Sequence, residues 1–104
     1  MNFNIETVAT DMLSVMKGTL PDSWTKVEGV ARRFMHDREN RLKHLAESYL
    51  KNEITQQKLE SRLEDEKIIL EAEIEALKVI SKALAQKAVN AAFEVLNKAI
   101  ITAL

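Results

Sequence analysis

The sequence predicts an all-α protein, on three observations. Its 104 residues include only two glycines and one proline, so few positions favour sharp turns. Good helix formers (Ala, Leu, Glu, Lys and Gln) dominate the chain. Apolar residues recur at intervals of three and four residues rather than in alternation, which is the helical period. We therefore expect a single all-helical domain covering residues 1–104.

The first predicted helix covers residues 5–17. Asn4 can cap its N-terminus, and Gly18 can end it because glycine tolerates the left-handed conformation of a helix end. Its apolar residues share one helical face: Ile5, Val8, Ala9, Met12, Leu13, Val15 and Met16.

The second predicted helix covers residues 20–50. Thr19 as the N-cap, Pro21 in the first turn and Asp22 at the third position form an approximate capping box. The apolar face of this helix comprises Leu20, Trp24, Val27, Ala31, Phe34, Leu42, Leu45 and Tyr49.

The third predicted helix covers residues 56–102. Before it, Asn52 can take the left-handed conformation that ends a helix, and Thr55 can cap the next one. No Gly or Pro follows, so we expect this helix to run unbroken for up to roughly 70 Å. A single helix over residues 20–104 is the alternative that these signals leave open.

These elements predict an elongated antiparallel helical hairpin plus a short N-terminal helix. The first helix either continues along the uncovered end of the third or folds back as a further layer. The tail, residues 81–104, has more apolar surface than one neighbouring helix can cover. We therefore expect the chain to complete an oligomeric helical bundle, most simply a homodimer with coiled-coil-like contacts. The predicted interface comprises Ile69, Ala72, Ala76, Val79, Ile80, Ala83, Val89, Phe93, Leu96 and Ile100.

Charge also predicts that the second and third helices face each other. Residues 26–51 carry seven basic and four acidic residues, whereas residues 52–75 carry three basic and eight acidic residues. Arg38 and Glu66 each interrupt the apolar stripe of their helix, at matching heights in a hairpin that turns near Glu53. We expect them to form an ion pair that sets the register.

The apolar tail does not predict a membrane span, because Lys87, Glu94 and Lys98 divide it at regular intervals. Peripheral membrane contact and binding to another helical protein stay open. Nucleic-acid binding is disfavoured, since the basic residues of the segment 31–43 are scattered around the helix and interleaved with acids. The chain has no cysteine and no signal-peptide pattern, so we expect a cytoplasmic location.

The pattern predicts neither a catalytic site nor a metal or cofactor site. His36 and His44 each begin a His-x-x-Glu step, but helical di-iron sites use the reverse order, Glu-x-x-His. Both histidines lie off the apolar face, so we expect them in solvent. The acidic run over residues 63–77 is typical of a solvated helix face.

The predicted function is therefore a non-enzymatic helical oligomerisation or protein-interaction module, such as a scaffold, adaptor or assembly component. It would associate through the apolar faces of its long C-terminal helix. The alternative is a binding module with an apolar groove for a lipid, a small apolar ligand or an amphipathic partner helix.

Overall fold

The computed structural model describes residues 2–104, which form four α-helices. These are α1 (Ile5–Thr19), α2 (Trp24–Leu50), α3 (Gln56–Glu75) and α4 (Lys82–Thr102). The all-α class is confirmed, whereas the prediction of three helices is wrong. The described chain measures 40 × 22 × 20 Å. At 1.5 Å per residue α2 alone is about 40 Å long, so the other helices lie beside it rather than extending the molecule.

The helices pack as a four-helix bundle within one chain. α1 contacts α4 most extensively and also contacts α2, while α3 packs between α2 and α4. Short connections make successive helices antiparallel. The largest fully buried side chains come from all four helices and the first turn, and include Met12, Leu20, Phe34, Leu70 and Phe93. The core is thus shared around the bundle, without a second copy of the chain.

The predicted long third helix breaks after Glu75. Residues 76–81 form a turn in which Lys78 adopts a positive φ of 57°. Ser81 then caps α4, because its Oγ accepts a hydrogen bond from the backbone N–H of Leu84 at 3.1 Å. The bounds 56–102 and the alternative of one helix over 20–104 are therefore both wrong, as is the helix length of up to roughly 70 Å.

Burial of apolar surface explains this break. An unbroken helix would carry the tail beyond the end of α2 and leave its apolar faces in water. The turn instead brings α4 back along α3 and under α1. Seven residues of α4 are thereby buried: Ala85, Ala88, Val89, Ala92, Phe93, Leu96 and Ile100. Burying them stabilises the fold by far more than a left-handed residue and one broken turn cost.

The junction of α1 and α2 also differs from the prediction. Gly18 lies inside α1, which continues to Thr19, and the hydroxyl of Thr19 donates to the carbonyl of Val15 at 2.9 Å rather than capping α2. α2 begins four residues later than predicted, at Trp24. Between the helices Leu20 is only 1% exposed, so this short turn contributes an apolar plug to the core.

The sequence signals at the α2–α3 turn are confirmed. Asn52 has a φ of 61°. Its N–H donates to the carbonyl of Tyr49 at 3.0 Å, and the N–H of Glu53 donates to that of Ser48 at 2.8 Å. These two bonds form a Schellman motif, which satisfies carbonyls at the end of α2. Thr55 caps α3 through its side-chain oxygen, as predicted.

Candidate interaction surface

A buried carboxylate joins α2 to α3. Glu66 lies in the apolar stripe of α3, and its side chain is 2% exposed. Arg38 of α2 donates to it through both arms of the guanidinium, from Nε to Oε2 at 2.5 Å and from Nη2 to Oε1 at 3.1 Å. The structure thus brings together the two residues that the sequence paired.

A second arginine, Arg41, completes this cluster. Its Nε lies 2.7 Å from Oε1 of Glu66, although its side chain is 60% exposed. The sequence analysis missed this contact. The signal was present, because residues three apart on a helix share a face, and Arg41 follows Arg38 at that interval.

The contact with Glu66 stabilises the charged form of Arg38. The hydrogen bond to Glu66 raises the pKa of Arg38 above its ordinary value, and burial opposes this effect less strongly. The hydrogen bond thus favours the charged form of Arg38. Because both oxygens of Glu66 contact arginines of α2, the cluster ties the two helices together.

Four of the ten predicted interface residues lie in the chain's own core. Val89, Phe93, Leu96 and Ile100 are each at most 2% exposed, because α1 and α3 cover them. The remaining six lie at or near the surface. Ile69 and Ile80 are half-buried, while Ala72, Ala76, Val79 and Ala83 are exposed.

Apolar surface remains at two places on the bundle. Ile68 on the outer side of α3 is 55% exposed, and Val79 in the following turn is 38% exposed. At the far end of α4, Ile101 is 65% exposed and Leu104 is 74% exposed. Single exposed apolar residues are ordinary, but groups of them are typical of contact surfaces.

The surface of the bundle also has concave regions. A groove of about 400 Å³ between α1 and α2 is lined by Leu13, Trp24 and Lys17, among others. A smaller hollow of about 180 Å³ near the α2–α3 turn is lined partly by Tyr49 and Ile101. The groove reaches the roughly 300–1,000 Å³ typical of small-molecule sites, as do two more open regions of about 350 Å³ on α1 and α2 and about 560 Å³ on α4.

The histidines lie where the sequence analysis expected them. His36 and His44 are both exposed on α2. Within residues 2–104, no three His, Cys, Asp or Glu side chains are arranged to hold a metal ion. On α3, Oε1 of Glu71 is buried without a hydrogen-bond partner in the described chain.

No helix in the described part of the chain combines the length and the apolar character that crossing a membrane requires. Comparisons with models of known families, with curated proteins and with solved structures found no match. The functional interpretation therefore comes from the chain's own surface.

Proposed function

We propose that this protein is a non-enzymatic helical interaction module that self-associates, most simply as a homodimer. The observation that carries the proposal is the exposed apolar surface of an otherwise closed bundle. Ile68, Ile101 and Leu104 are each more than half exposed, although the same chain buries most of its large apolar residues in or against a shared core. Such residues gain free energy when a contact removes them from water.

The arrangement of polar groups supports contact rather than chemistry. The buried ionisable side chain, Glu66, is engaged by two arginines and serves the packing of α2 on α3. Exposed charged residues form pairs within single helices, such as Arg32–Glu28 one helical turn apart. A surface of this kind suits a partner that covers it, as in a scaffold or an assembly component.

Light-scattering mass after size exclusion tests this proposal. We expect a mass near twice 11.8 kDa at high concentration, falling toward that of the monomer on dilution. A monomer at every concentration up to about 1 mM would contradict self-association. The core residue Phe93, 1% exposed, is a poor probe of association, because a charge there would unfold the bundle.

A second candidate function is binding of a small amphiphilic ligand in the groove between α1 and α2. Its volume is about 400 Å³, and Leu13 and Trp24 line it together with six polar residues. Lys17 and the ion-paired Arg32 and Glu28 are among these, so the groove fits a short apolar tail with a charged head. Trp24 is the protein's one tryptophan, so its fluorescence reports on this groove. Titration with a medium-chain fatty acid should shift that fluorescence and raise the melting temperature. An unchanged spectrum and an unchanged melting temperature would refute this alternative.

A further inference from the structure

The outward side of α3 carries an apolar stripe where a bundle helix ordinarily carries polar residues. Ile68, Ala72 and Ala76 follow one another at intervals of four residues, and all three are exposed. The buried residues of α3 lie on the opposite side of the helix and include Leu63, Glu66, Leu70 and Ile74. We call Ile68, Ala72 and Ala76 the α3 outer stripe.

The stripe has exposed acids at one end, and at the other end two exposed lysines follow the half-buried Glu75. Glu64 and Asp65, one turn before Ile68, are 59% and 62% exposed. Lys78 in the turn and Lys82 at the start of α4 are both exposed. Lys78 lies three residues beyond the end of α3 at Glu75, and about ten residues of helix, roughly 15 Å, separate Asp65 from that end.

The pairs that these charges form within the chain leave them available to a partner. Asp65 lies 3.9 Å from Arg62, and Glu64 lies 3.5 Å from Lys67, both as exposed neighbours on the same helix. Exposed ion pairs of this kind contribute little to the free energy of folding. Lys78 and Lys82 make no ion pair with the described residues.

We propose that the α3 outer stripe is the contact surface for a second copy of this chain, packed antiparallel about a two-fold axis near Ala72. This inference rests on the proposed self-association and specifies its surface. A two-fold axis there places Ile68 of one copy against Ala76 of the other. The acidic end of each stripe then meets the lysine end of its partner, so the surface is complementary to itself.

The charge pattern indicates that a second copy of the chain covers the α3 outer stripe. An antiparallel pair of copies satisfies both charged ends at once, whereas a parallel pair would set acid against acid and lysine against lysine. The small side chains of Ala72 and Ala76 allow the two helices to approach closely. Because the stripe has one large apolar residue, Ile68, we expect a weak dimer with a dissociation constant on the order of 10–100 µM.

Charge reversal at each end of the stripe tests the arrangement by analytical ultracentrifugation of the full chain. The double variants Glu64→Lys/Asp65→Lys and Lys78→Glu/Lys82→Glu should each weaken the dimer at least tenfold, because like charges then meet at both ends. The quadruple variant should regain dimerisation, since its two ends are again opposite in sign. An equimolar mixture of the two double variants should form heterodimers. Failure of both the quadruple variant and the mixture would overturn the antiparallel arrangement.

Two controls separate this inference from the proposed function. Lys43→Glu/Lys98→Glu changes the net charge by the same amount as the lysine reversal, at exposed positions of α2 and α4 outside the stripe, and should leave the dimer unchanged. Ile68→Gln should weaken the dimer roughly tenfold without altering the helical circular dichroism, since Ile68 is 55% exposed.

Each outcome decides one of the two proposals. A dimer that resists both Ile68→Gln and the charge reversals uses another surface, which overturns this inference and leaves self-association intact. A wild-type chain that stays monomeric at about 1 mM overturns both.

Discussion

Replacing Arg38 by Ala should destabilise the protein much more than replacing Arg41 by Ala. Both arginines approach the same carboxylate of Glu66, and both side chains reach the surface of α2. The two arginines differ in the number of contacts with the carboxylate and in their exposure to solvent. Arg38 makes two hydrogen bonds and is 30% exposed, whereas Arg41 makes one close ion contact and is 60% exposed.

The magnitude follows from what each substitution leaves behind. Without Arg38, the carboxylate of Glu66, 2% exposed, keeps only a mobile surface partner. Stranding a buried charge costs about 3–5 kcal/mol, and the remaining contact with Arg41 reduces this to roughly 2–3 kcal/mol. Arg41→Ala removes one largely exposed ion contact, so we expect a loss below about 1 kcal/mol.

Urea denaturation followed by circular dichroism measures both losses, and a double-mutant cycle with Glu66→Ala isolates the coupling. We expect a coupling energy between Arg38 and Glu66 of about 1.5–3 kcal/mol and a smaller one between Arg41 and Glu66. In thermal melts, Arg38→Ala should lower the melting temperature by roughly 10 °C or more. Equal losses for the two arginine variants would refute the reasoning, as would a coupling near zero, because the buried pair would then not hold α2 on α3.

Substitutions at three further positions test the turn between α3 and α4 and a carboxylate of α3. Lys78→Gly should raise the free energy of unfolding by about 0.5–1 kcal/mol in urea denaturation, because Lys78 has a φ of 57° and glycine adopts it without strain; a loss of stability would contradict strain there. Ser81→Ala should lower the free energy of unfolding by about 1 kcal/mol in the same assay, because it removes the cap of α4, whereas Ser81→Asp should retain stability. Glu71→Met should raise the melting temperature in calorimetry, because it removes a buried oxygen that has no hydrogen-bond partner; a fall would show that the oxygen is satisfied.

Sequence reasoning succeeded at positions where one residue type has a strong conformational preference. Asn4 and Thr55 accept hydrogen bonds from the first turns of α1 and α3, and Asn52 takes the left-handed conformation, all as predicted. Arg38 and Glu66 could be paired because each interrupts an apolar stripe, and a hairpin puts equal heights opposite each other. These signals are local, or depend on one turn whose position was correct.

The break between α3 and α4 gave no comparable signal. The left-handed residue is Lys78, and lysine has no preference for that conformation. Ser81 is a good N-cap, but Leu84 stands where a capping box would have Glu or Gln, so the serine did not mark a helix start. Tertiary packing, rather than local preference, therefore decides that the chain turns here.

The prediction of an oligomeric bundle depended on the prediction of one long third helix, because such a helix would leave apolar faces uncovered within a single chain. Periodicity shows that a helix face must be covered, but it does not show which segment covers it. In the structure α1 covers much of α4, where Ala85, Ala88 and Ala92 are fully buried and allow close approach. Within a single chain, α1 thus covers most of the apolar surface of α4 that a second copy was expected to cover. What remains for a partner is the surface that α1 does not reach, and the outer side of α3 is the part of it whose charges suit another copy.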